Sequence, residues 1–249
     1  DALQVACFDT AFHRGHPRTA EVYALPQGVT SSGVRRYGFH GLSYEYIAEA
    51  LRDLDPDLAA GEVVVAHLGS GASLCAMRNG NSVDSTMGFT ALDGLPMSTR
   101  TGQLDPGVVL HLLREGRSID DVERMFYKES GLLGLSGETG DMRKLLQSDS
   151  TDAAFAVEYF CYRVAREIGA LAVSLDGLDG VVFTAGIGEN QPLIRANVAA
   201  RLRSLGAIVE PGANDAGDIR FDAAESRIKL LAIPTNEELM LARHAARFL

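Results

Sequence analysis

The sequence of 249 residues lacks tryptophan, carries only three cysteines, and has no apolar run near the ~20 residues that a membrane-spanning helix needs. Cys7, Cys75 and Cys161 are scattered and form no CxxC pair, which excludes a zinc framework and suits a reducing cytoplasm. Positive charge is not in excess either. The net charge of −10 argues against non-specific binding to nucleic acid or to an anionic membrane surface. The first residues have no basic region, so they do not predict a signal peptide.

Several well-known catalytic motifs are also missing. The sequence has no GxxxxGK[ST] phosphate loop, no HRD or DFG of a protein kinase, and no GxSxG of a hydrolase. The chain does have glycine-bearing bends, an early Asp, a loop His, a loop Arg and an acidic pair near its end. Phosphoryl transfer needs such an inventory, because it depends on phosphate cradles, cations and a carboxylate that holds Mg²⁺.

The stretch that organises the chain is Val63–Ser73, VVVAHLGSGAS. Four apolar residues predict a buried strand, and Gly69 and Gly71 then allow a bend whose backbone N–H groups could face a phosphate. The alternative is an ordinary glycine-bearing turn between two core strands. Leu74–Met77 predicts a second strand, and Asn79-Gly80 predicts a tight hairpin after it.

Other segments complete an α/β pattern. A buried strand at Gly180–Ala185 enters the glycine bend Gly186–Asn190, and a helix follows, which favours a phosphate or nucleotide site over a plain turn. Apolar periodicity, caps and breakers predict the remaining elements: strands at Leu3–Phe8 and Ile228–Ile233, and helices at Tyr44–Leu54 (capped by Ser43), about 105–115, about Ile119–Lys128, Thr151–Leu175, Pro192–Leu205 and Glu237–Phe248.

Four positions combine a reactive side chain with a setting that could expose it. Asp9 follows a predicted strand, although a loop Asp can also cap a turn, and His40 lies in a glycine-hinged loop where a structural role is the alternative. Arg100 lies in a Gly/Ser/Thr-rich segment without periodicity, where it could reach a ligand or pair with a surface carboxylate. Glu237 and Glu238 begin the last helix, where they complement its dipole or hold a hard cation. His13 and His16 are interpreted as loop histidines.

Seven blocks of the sequence, in order along the chain, resemble the acetate kinase family. They are FDTAFH at Phe8–His13, RYGFHG at Arg36–Gly41, HLGSGAS at His67–Ser73, PMSTRTGQLDPG at Pro96–Gly107, SGETGDMR at Ser136–Arg143, TAGIGEN at Thr184–Asn190 and PTNEEL at Pro234–Leu239. The resemblance implies an α/β fold built on a ribonuclease H-like βββαβαβα domain of the actin/Hsp70/sugar-kinase type, with part of a second, similar domain.

The resemblance also implies roles for individual residues. Asp9 matches the active-site carboxylate, and His40 and Arg100 match the residues that stabilise the transition state. Three segments match nucleotide contacts: His67, Leu68, Gly69, Ser70 and Gly71; Asp141, Met142 and Arg143; and Gly186, Ile187, Gly188, Glu189 and Asn190. Glu237 matches the ligand of Mg²⁺, or of Mn²⁺ in its place. Ser70 stands where the family often has Asn, which a backbone cradle should tolerate.

By the same resemblance, the activity is reversible phosphoryl transfer from ATP to acetate, giving acetyl phosphate and ADP, in a cytoplasmic homodimer. Alternatives are a propionate or butyrate kinase, and a nucleotide-binding fragment without catalysis. The expected domains are 1–12, the end of an N-terminal acyl-substrate domain; 13–235, the nucleotide-binding domain; and 236–249, a helix returning to the first domain. The family's N-terminal phosphate segment and a substrate arginine are not in this sequence, so we expect residues 1–249 alone not to make acyl phosphate at a useful rate.

Overall fold

The computed structural model describes residues 4–248, in which a five-stranded sheet carries helices on both faces. Its strands are β1 (Glu62–Leu68), β2 (Ala72–Arg78), β3 (Asn81–Ser85), β4 (Gly180–Thr184) and β5 (Lys229–Ala232). The helices of this part are α1 (Arg18–Glu21), α2 (Gln27–Ser31), α3 (Gly41–Leu54), α4 (Pro56–Ala59), α5 (Pro106–Arg114), α6 (Ile119–Lys128), α7 (Gly131–Ser136), α8 (Met142–Leu145), α9 (Thr151–Leu175), α10 (Ala185–Asn190), α11 (Pro192–Arg201), α12 (Pro211–Ala216) and α13 (Glu237–Ala246). Short 3₁₀ helices occupy Asp9–His13 and Arg203–Leu205.

The strand order in the sheet is β3-β2-β1-β4-β5. The first three strands form an antiparallel meander, and β4 and β5 are then added parallel to β1 through helical crossovers. The meander, followed by α9, β4, α11, β5 and α13, has the expected βββαβαβα arrangement. The fold class predicted from the sequence is therefore confirmed.

Strand β1 shows how the sequence builds a core on each face of the sheet. Successive side chains of a strand point to opposite faces. Val64, Ala66 and Leu68 join the core beneath α9 and α11, whereas Val63 and Val65 join the core beneath α3 and α4. Both faces are covered, and this explains why β1 is apolar without alternation.

Several predicted elements are confirmed. Helices α6 and α9 have the bounds expected from their periodicity, and each begins at a capping serine, Ser118 and Ser150. Asn79 and Gly80, with φ of 52° and 70°, form the predicted hairpin turn between β2 and β3. Between β3 and α5, residues 86–105 contain no helix or strand. The last helix ends at Ala246, two residues earlier than predicted.

Three local predictions are wrong. Ser43 does not cap α3, because the helix begins two residues earlier, at Gly41, with His40 as its N-cap. The glycine bend predicted at Gly186–Asn190 is a short helix, α10, which begins directly at the end of β4. Leu3 lies outside the described residues, and residues 4–8 form no strand. Their apolar composition suits a strand, but no described strand pairs with them, and Phe8 is 65% exposed.

The last helix packs onto α3. Arg243 pairs with Glu49, and His244 Nε2 lies 2.7 Å from Glu45 Oε2. The predicted domain limits at residues 12/13 and 235/236 stay predictions. Across residues 4–248, no helix is both long and apolar enough to cross a membrane.

Candidate active site

The first and third glycine-bearing segments lie together because they follow parallel neighbouring strands. His67 of β1 is paired in register with Thr184 of β4, so both strands end at the same edge of the sheet. Ligands of open α/β sheets bind outside this carboxyl edge. The bend after β1 therefore lies beside the start of α10.

The edge of the sheet opens into a cleft of about 580 Å³. All three predicted nucleotide segments contribute to its walls. The lining residues are Gly69, Ser70, Ser98, Gly140, Asp141, Met142, Arg143, Gly186, Ile187, Asn190 and Gln191. Segments far apart in the sequence thus meet around one space with glycine backbone on two sides.

Ser98 holds two of these walls together. Its backbone N–H donates to the Ser70 carbonyl over 3.2 Å, and its Oγ donates to the Gly140 carbonyl over 2.8 Å. A Cβ on Gly140 would lie 2.3 Å from Ser98 Oγ, so only glycine permits this approach. The irregular segment around Ser98 fixes the width of the cleft on this side.

Not every residue of the predicted segments lines the cleft. Leu68 is fully buried in the core between the sheet and α9. Gly188 is also buried, and a Cβ there would lie 3.2 Å from the Phe183 carbonyl carbon, so the residue allows α10 to pack on the sheet. The Glu189 carboxylate turns away, accepting from the Thr235 N–H over 3.1 Å. In this segment, Gly186, Ile187 and Asn190 face the cleft.

The second segment begins a short helix. Asp141 is the N-cap of α8, and its carboxylate accepts from the backbone N–H and guanidinium of Arg143. The Arg143 side chain, through these hydrogen bonds, lowers the pKa of Asp141. Met142 is buried to 2% exposure and anchors the helix. Arg143 is 75% exposed and supplies a positive charge at the cleft wall.

His40 lies at the other end of the bend after β1. Its backbone is left-handed, with φ of 58°, and this turns the ring toward the sheet edge. The ring stacks on that of His67, with centroids 4.1 Å apart and an interplanar angle of 16°. Burial, opposed by Asp9 and aided by Arg100, lowers the pKa of His40 to about 4, and burial lowers that of His67 to about 3. Both rings are neutral at pH 7.

His40 and Arg100 converge on Gly71. A Cβ on Gly71 would lie 3.3 Å from His40 Nε2 and 4.0 Å from Arg100 Nη1. Arg100 Nη1 donates to the Ala91 carbonyl over 3.1 Å, and no carboxylate within the described residues forms an ion pair with this guanidinium. Within the described residues, Arg100 therefore does not form the surface salt bridge that was the alternative for this side chain. A neutral ring and a cation face the same space.

Asp9 is tied to the same centre through the backbone. Its carboxylate accepts from the His40 N–H over 2.5 Å and from the Leu42 N–H over 3.2 Å. Asp9 therefore satisfies N–H groups at the start of α3, as a capping side chain does. Gly41 allows this approach, because a Cβ there would lie 1.9 Å from the Asp9 carbonyl oxygen. Asp9 therefore has the capping role that the sequence analysis gave as the alternative to a functional one, and it has this role next to His40.

The Glu237 carboxylate is near enough to Asp9 for their charges to interact. Partial burial, and then the charge of Asp9, raises the pKa of Glu237. In residues 4–248, neither carboxylate has an ion-pair partner, and no cluster of three His, Cys, Asp or Glu side chains could hold a metal. Glu238 is the less enclosed neighbour, and no hydrogen bond to its side chain is present in this part of the chain.

His13 and His16 form a second histidine pair, against β3. Both lie near Ser82 Oγ, with His13 Nδ1 at 2.8 Å and His16 Nε2 at 2.6 Å, and His13 Nε2 donates to the Phe39 carbonyl over 3.0 Å. Burial lowers the pKa of each to about 4. The loop interpretation was therefore incomplete, because His13 is a buried structural residue.

The residues that sequence reasoning missed make long-range contacts. Ser98 and Gly140 lie within the blocks that resemble the family but carry no predicted role, and Gln191 has no signal in the sequence. Ser73 Oγ lies 2.8 Å from His40 Nδ1, and Ser43 Oγ lies 2.9 Å from His67 Nδ1. A serine hydroxyl has no pattern that reveals such a partner 24 or 33 residues away.

The sheet order and the cleft at its carboxyl edge define an α/β domain of the actin/Hsp70/sugar-kinase fold. The family model described as "Acetokinase family" matches residues 1–243. The chain belongs to the acetokinase family.

Individual relatives agree with this assignment. The chain is 54% identical to an acetate kinase of Nitrobacter hamburgensis, covering 99% of this chain and 61% of the relative. It superposes on a Porphyromonas gingivalis acetate kinase with a TM-score of 0.91 at 34% identity, covering 96% of this chain and 62% of the other. It superposes equally well, at 38% identity, on a propionate kinase from Francisella tularensis, covering 95% and 62% of the two chains. The chain spans about three fifths of the length of these relatives.

Proposed function

We propose that the protein transfers the γ-phosphoryl group of ATP reversibly to the carboxylate of a short-chain fatty acid, with acetate as the substrate. The observation that carries this proposal is the path of the bend after β1. Gly69 and Ser70 line the cleft that receives the nucleotide phosphates, and Gly71 faces His40 and Arg100. One short segment thus leads from a phosphate cradle to a pair of groups suited to a transferring phosphoryl group.

In the proposed reaction, a carboxylate oxygen of acetate attacks the γ-phosphorus, a new P–O bond forms, and the bond to the ADP oxygen breaks. The acceptor is already ionised, so the step requires little base catalysis. Negative charge on the equatorial phosphoryl oxygens is met by the Arg100 guanidinium and by the His40 imidazole. Asp9 accepts a hydrogen bond from the His40 backbone N–H, and its proposed role is to orient the acceptor.

Mg²⁺, or Mn²⁺ in its place, fits the acidic residues at this centre. Mg²⁺ is usually held by one or two carboxylates together with substrate phosphates, and not by an all-protein cage. Glu237 has a pKa raised by burial and by Asp9, and a cation there would relieve both effects. When bound, the metal would neutralise charge on the nucleotide phosphates. Glu237 is the proposed ligand.

A hydroxamate assay on the full-length protein tests the reaction and its acceptor. Incubation with Mg-ATP should give acyl hydroxamate, with kcat/KM highest for acetate among acetate, propionate and butyrate. The likeness to a propionate kinase favours propionate as the second candidate, and one methylene is worth only ~1–3 kcal/mol of discrimination. Higher kcat/KM for propionate would move the assignment to that substrate. Nucleotide binding without any hydroxamate would leave a binding protein without catalysis.

Replacing Gly186 should block the nucleotide directly. A Cβ at Gly186 meets no atom within 4 Å, and the residue is exposed at the cleft, so Gly186→Val would fill ligand space without a clash. We expect calorimetric titration with Mg-ADP to give a Kd at least tenfold higher, which corresponds to ~1.4 kcal/mol. Gly188→Val is not a clean test, because Gly188 packs on Phe183.

Gly169→Val is the matched control, because it introduces the same side chain into open space on α9, away from the cleft. Its Kd should equal that of the unmodified protein. An unchanged Kd in Gly186→Val would remove α10 from the nucleotide site.

We propose that the partner of the protein is a second copy of itself and that α5 forms the contact. This helix has no buried residue, and Val108, Leu110 and Leu113 are 38%, 52% and 37% exposed. Apolar surface of this kind marks an interface when it is contiguous. We expect the full-length protein to sediment as a dimer and Leu110→Arg to sediment as a monomer.

Ile208→Arg provides the control for the dimer, since Ile208 is 42% exposed on a different part of the chain. It should leave the dimer intact. A monomeric unmodified protein, or a Leu110→Arg protein that remains dimeric, would contradict the proposed contact.

The domain limits and the location of the protein are part of the same proposal. Residues 13–235 are proposed to act as the nucleotide-binding domain, with 1–12 and 236–249 joining it to an acyl-substrate domain. The three cysteines are free thiols, as expected in a reducing cytoplasm.

A further inference from the structure

A buried chain of hydroxyl groups ends on His40. Tyr44 is fully buried on α3, and its hydroxyl forms a hydrogen bond with Ser73 Oγ. Ser73, also fully buried, lies 2.8 Å from Nδ1 of His40. Among residues 4–248, Tyr44 Oη has no hydrogen-bond partner other than Ser73 Oγ. The opposite ring nitrogen, Nε2, faces Gly71 and Arg100.

The number of protons shared by Tyr44, Ser73 and His40 determines the direction in which each hydrogen bond is donated. Burial raises the pKa of Tyr44 well above its ordinary value, so the phenol keeps its proton and needs an acceptor. Ser73 Oγ can accept that proton, and the single Ser73 proton then points to His40 Nδ1. His40 must accept at Nδ1 and therefore carries its own proton on Nε2.

The two other arrangements each leave a buried donor without a partner. If His40 donated from Nδ1 and Ser73 donated to Tyr44, the phenol proton would have no acceptor. If His40 and Tyr44 both donated to Ser73, the serine proton would have none. An unpaired buried donor costs about 1–3 kcal/mol, so both arrangements are disfavoured against the fully paired one.

We propose that Tyr44 and Ser73 are positioning residues that fix His40 as the neutral tautomer with its proton on Nε2. This inference rests on the proposed function for its catalytic meaning. The N–H group then points into the space shared with Arg100, where it donates a hydrogen bond to a phosphoryl oxygen. A neutral donor also avoids placing a second cation beside the Arg100 guanidinium. With the proton on Nδ1, the Nε2 lone pair would repel the same oxygen.

The first test reads the tautomer without any activity. Two-bond ¹H–¹⁵N spectra of the full-length protein labelled at histidine should show His40 with Nε2 protonated and Nδ1 unprotonated. Ser73→Ala should shift these signals toward a mixture of both tautomers, and Tyr44→Phe should move them in the same direction by less. A His40 that carries its proton on Nδ1 in the unmodified protein would overturn the proposal, whatever the protein's enzymatic activity.

The second test measures turnover. In Ser73→Ala, kcat should fall by about 10-fold to 100-fold, less than the ~10²–10³ lost with a whole oxyanion donor, while KM for ATP changes less than about twofold. Ser85→Ala is the matched control, because Ser85 is a buried serine on the adjacent strand whose Oγ has no hydrogen-bond partner among residues 4–248. Its kcat should equal that of the unmodified protein.

The double variant separates tautomer control from a merely structural role. Glutamine has no tautomer to fix, so Ser73→Ala should lower kcat little in a His40→Gln background. An equal loss of kcat in both backgrounds would overturn the proposal, as would an unchanged kcat in Ser73→Ala. If the unmodified protein formed no acyl phosphate at all, this would instead contradict the proposed function. The spectra would still decide the tautomer of His40.

Discussion

Arg100→Ala in the full-length protein should lower kcat by ~10³–10⁵, the range found for a cation that stabilises a phosphoryl transition state. KM for ATP should change only a few-fold. The reason is the position of the side chain, whose Nη1 faces Gly71 and bonds to the Ala91 carbonyl, outside the walls of the cleft. With no carboxylate partner in the described part of the chain, its charge is available to the transferring group. Steady-state hydroxamate kinetics with varied ATP measures both constants.

Two further variants serve as controls for the expected loss of kcat in Arg100→Ala. Arg124→Ala removes an arginine that is 58% exposed and paired with Asp121 and Glu129 on the surface, and its kcat should be unchanged. Arg100→Lys keeps the positive charge but not the forked set of guanidinium donors. Its kcat should therefore lie between that of Arg100→Ala and that of the unmodified protein. If Arg100→Ala weakened Mg-ADP binding as much as it lowered kcat, Arg100 would belong to the nucleotide site instead.

Acid should destabilise the folded protein over the interval from about pH 6.5 to about pH 4, because four histidines have lowered pKa values. His13, His16 and His40 have pKa values of about 4, and that of His67 is about 3, against 6.5 for an ordinary histidine. Below pH 6.5 the unfolded chain binds protons that the folded chain does not. Stability is therefore complete above pH 6.5 and is lost as the pH falls toward the folded pKa values.

The expected loss is large relative to the stability of a domain. A difference of one pKa unit corresponds to ~1.4 kcal/mol, so a buried histidine such as His13 can account for about 3 kcal/mol across the whole interval. The buried rings together thus approach the ~5–15 kcal/mol that stabilises a typical domain. We expect the melting temperature to fall steeply between pH 6.5 and pH 4.5 and the protein to unfold near the lower end.

Thermal melts recorded by circular dichroism from pH 7.5 to pH 4.5 measure this dependence. His16→Gln, outside the proposed catalytic group, should make the dependence on pH shallower by up to one proton. A ¹⁵N titration that gives His13 a pKa near 6.5 would contradict the explanation of acid destabilisation by buried histidines.

The sequence predicted the fold well where local signals and burial agree. Helix α9 is an example, because its apolar spacing predicts a helix over Thr151–Leu175 and the structure has the same bounds. Residues 4–8 are the opposite case. An apolar run is equally compatible with a strand and with an unpaired segment, and a pairing partner is a property of distant residues. The type of residue alone could not decide between them.

The site divides in the same way. The glycine-bearing segments were recognisable, and they do meet around one cleft, but which side each residue presents could not be read from the sequence. Gly186 and Gly188 occupy similar places in the motif, yet one faces the cleft and the other packs on Phe183, because α10 is a helix. Hydroxyl partners of the histidines depend on the folded arrangement of α3 and β2.

The two hydrogen bonds that Asp9 accepts make an inactive variant at this position hard to interpret. Alanine there would remove a carboxylate from the proposed reaction centre and, at once, a helix cap worth ~1 kcal/mol. It would also remove the hydrogen bond that the backbone N–H of His40, a residue in the left-handed conformation, donates to Asp9. Asparagine retains an acceptor for the N–H groups while it removes the charge. Any inventory of essential residues in this protein therefore has to compare Asp9→Asn with Asp9→Ala, since the alanine variant alone would count a scaffold defect as lost chemistry.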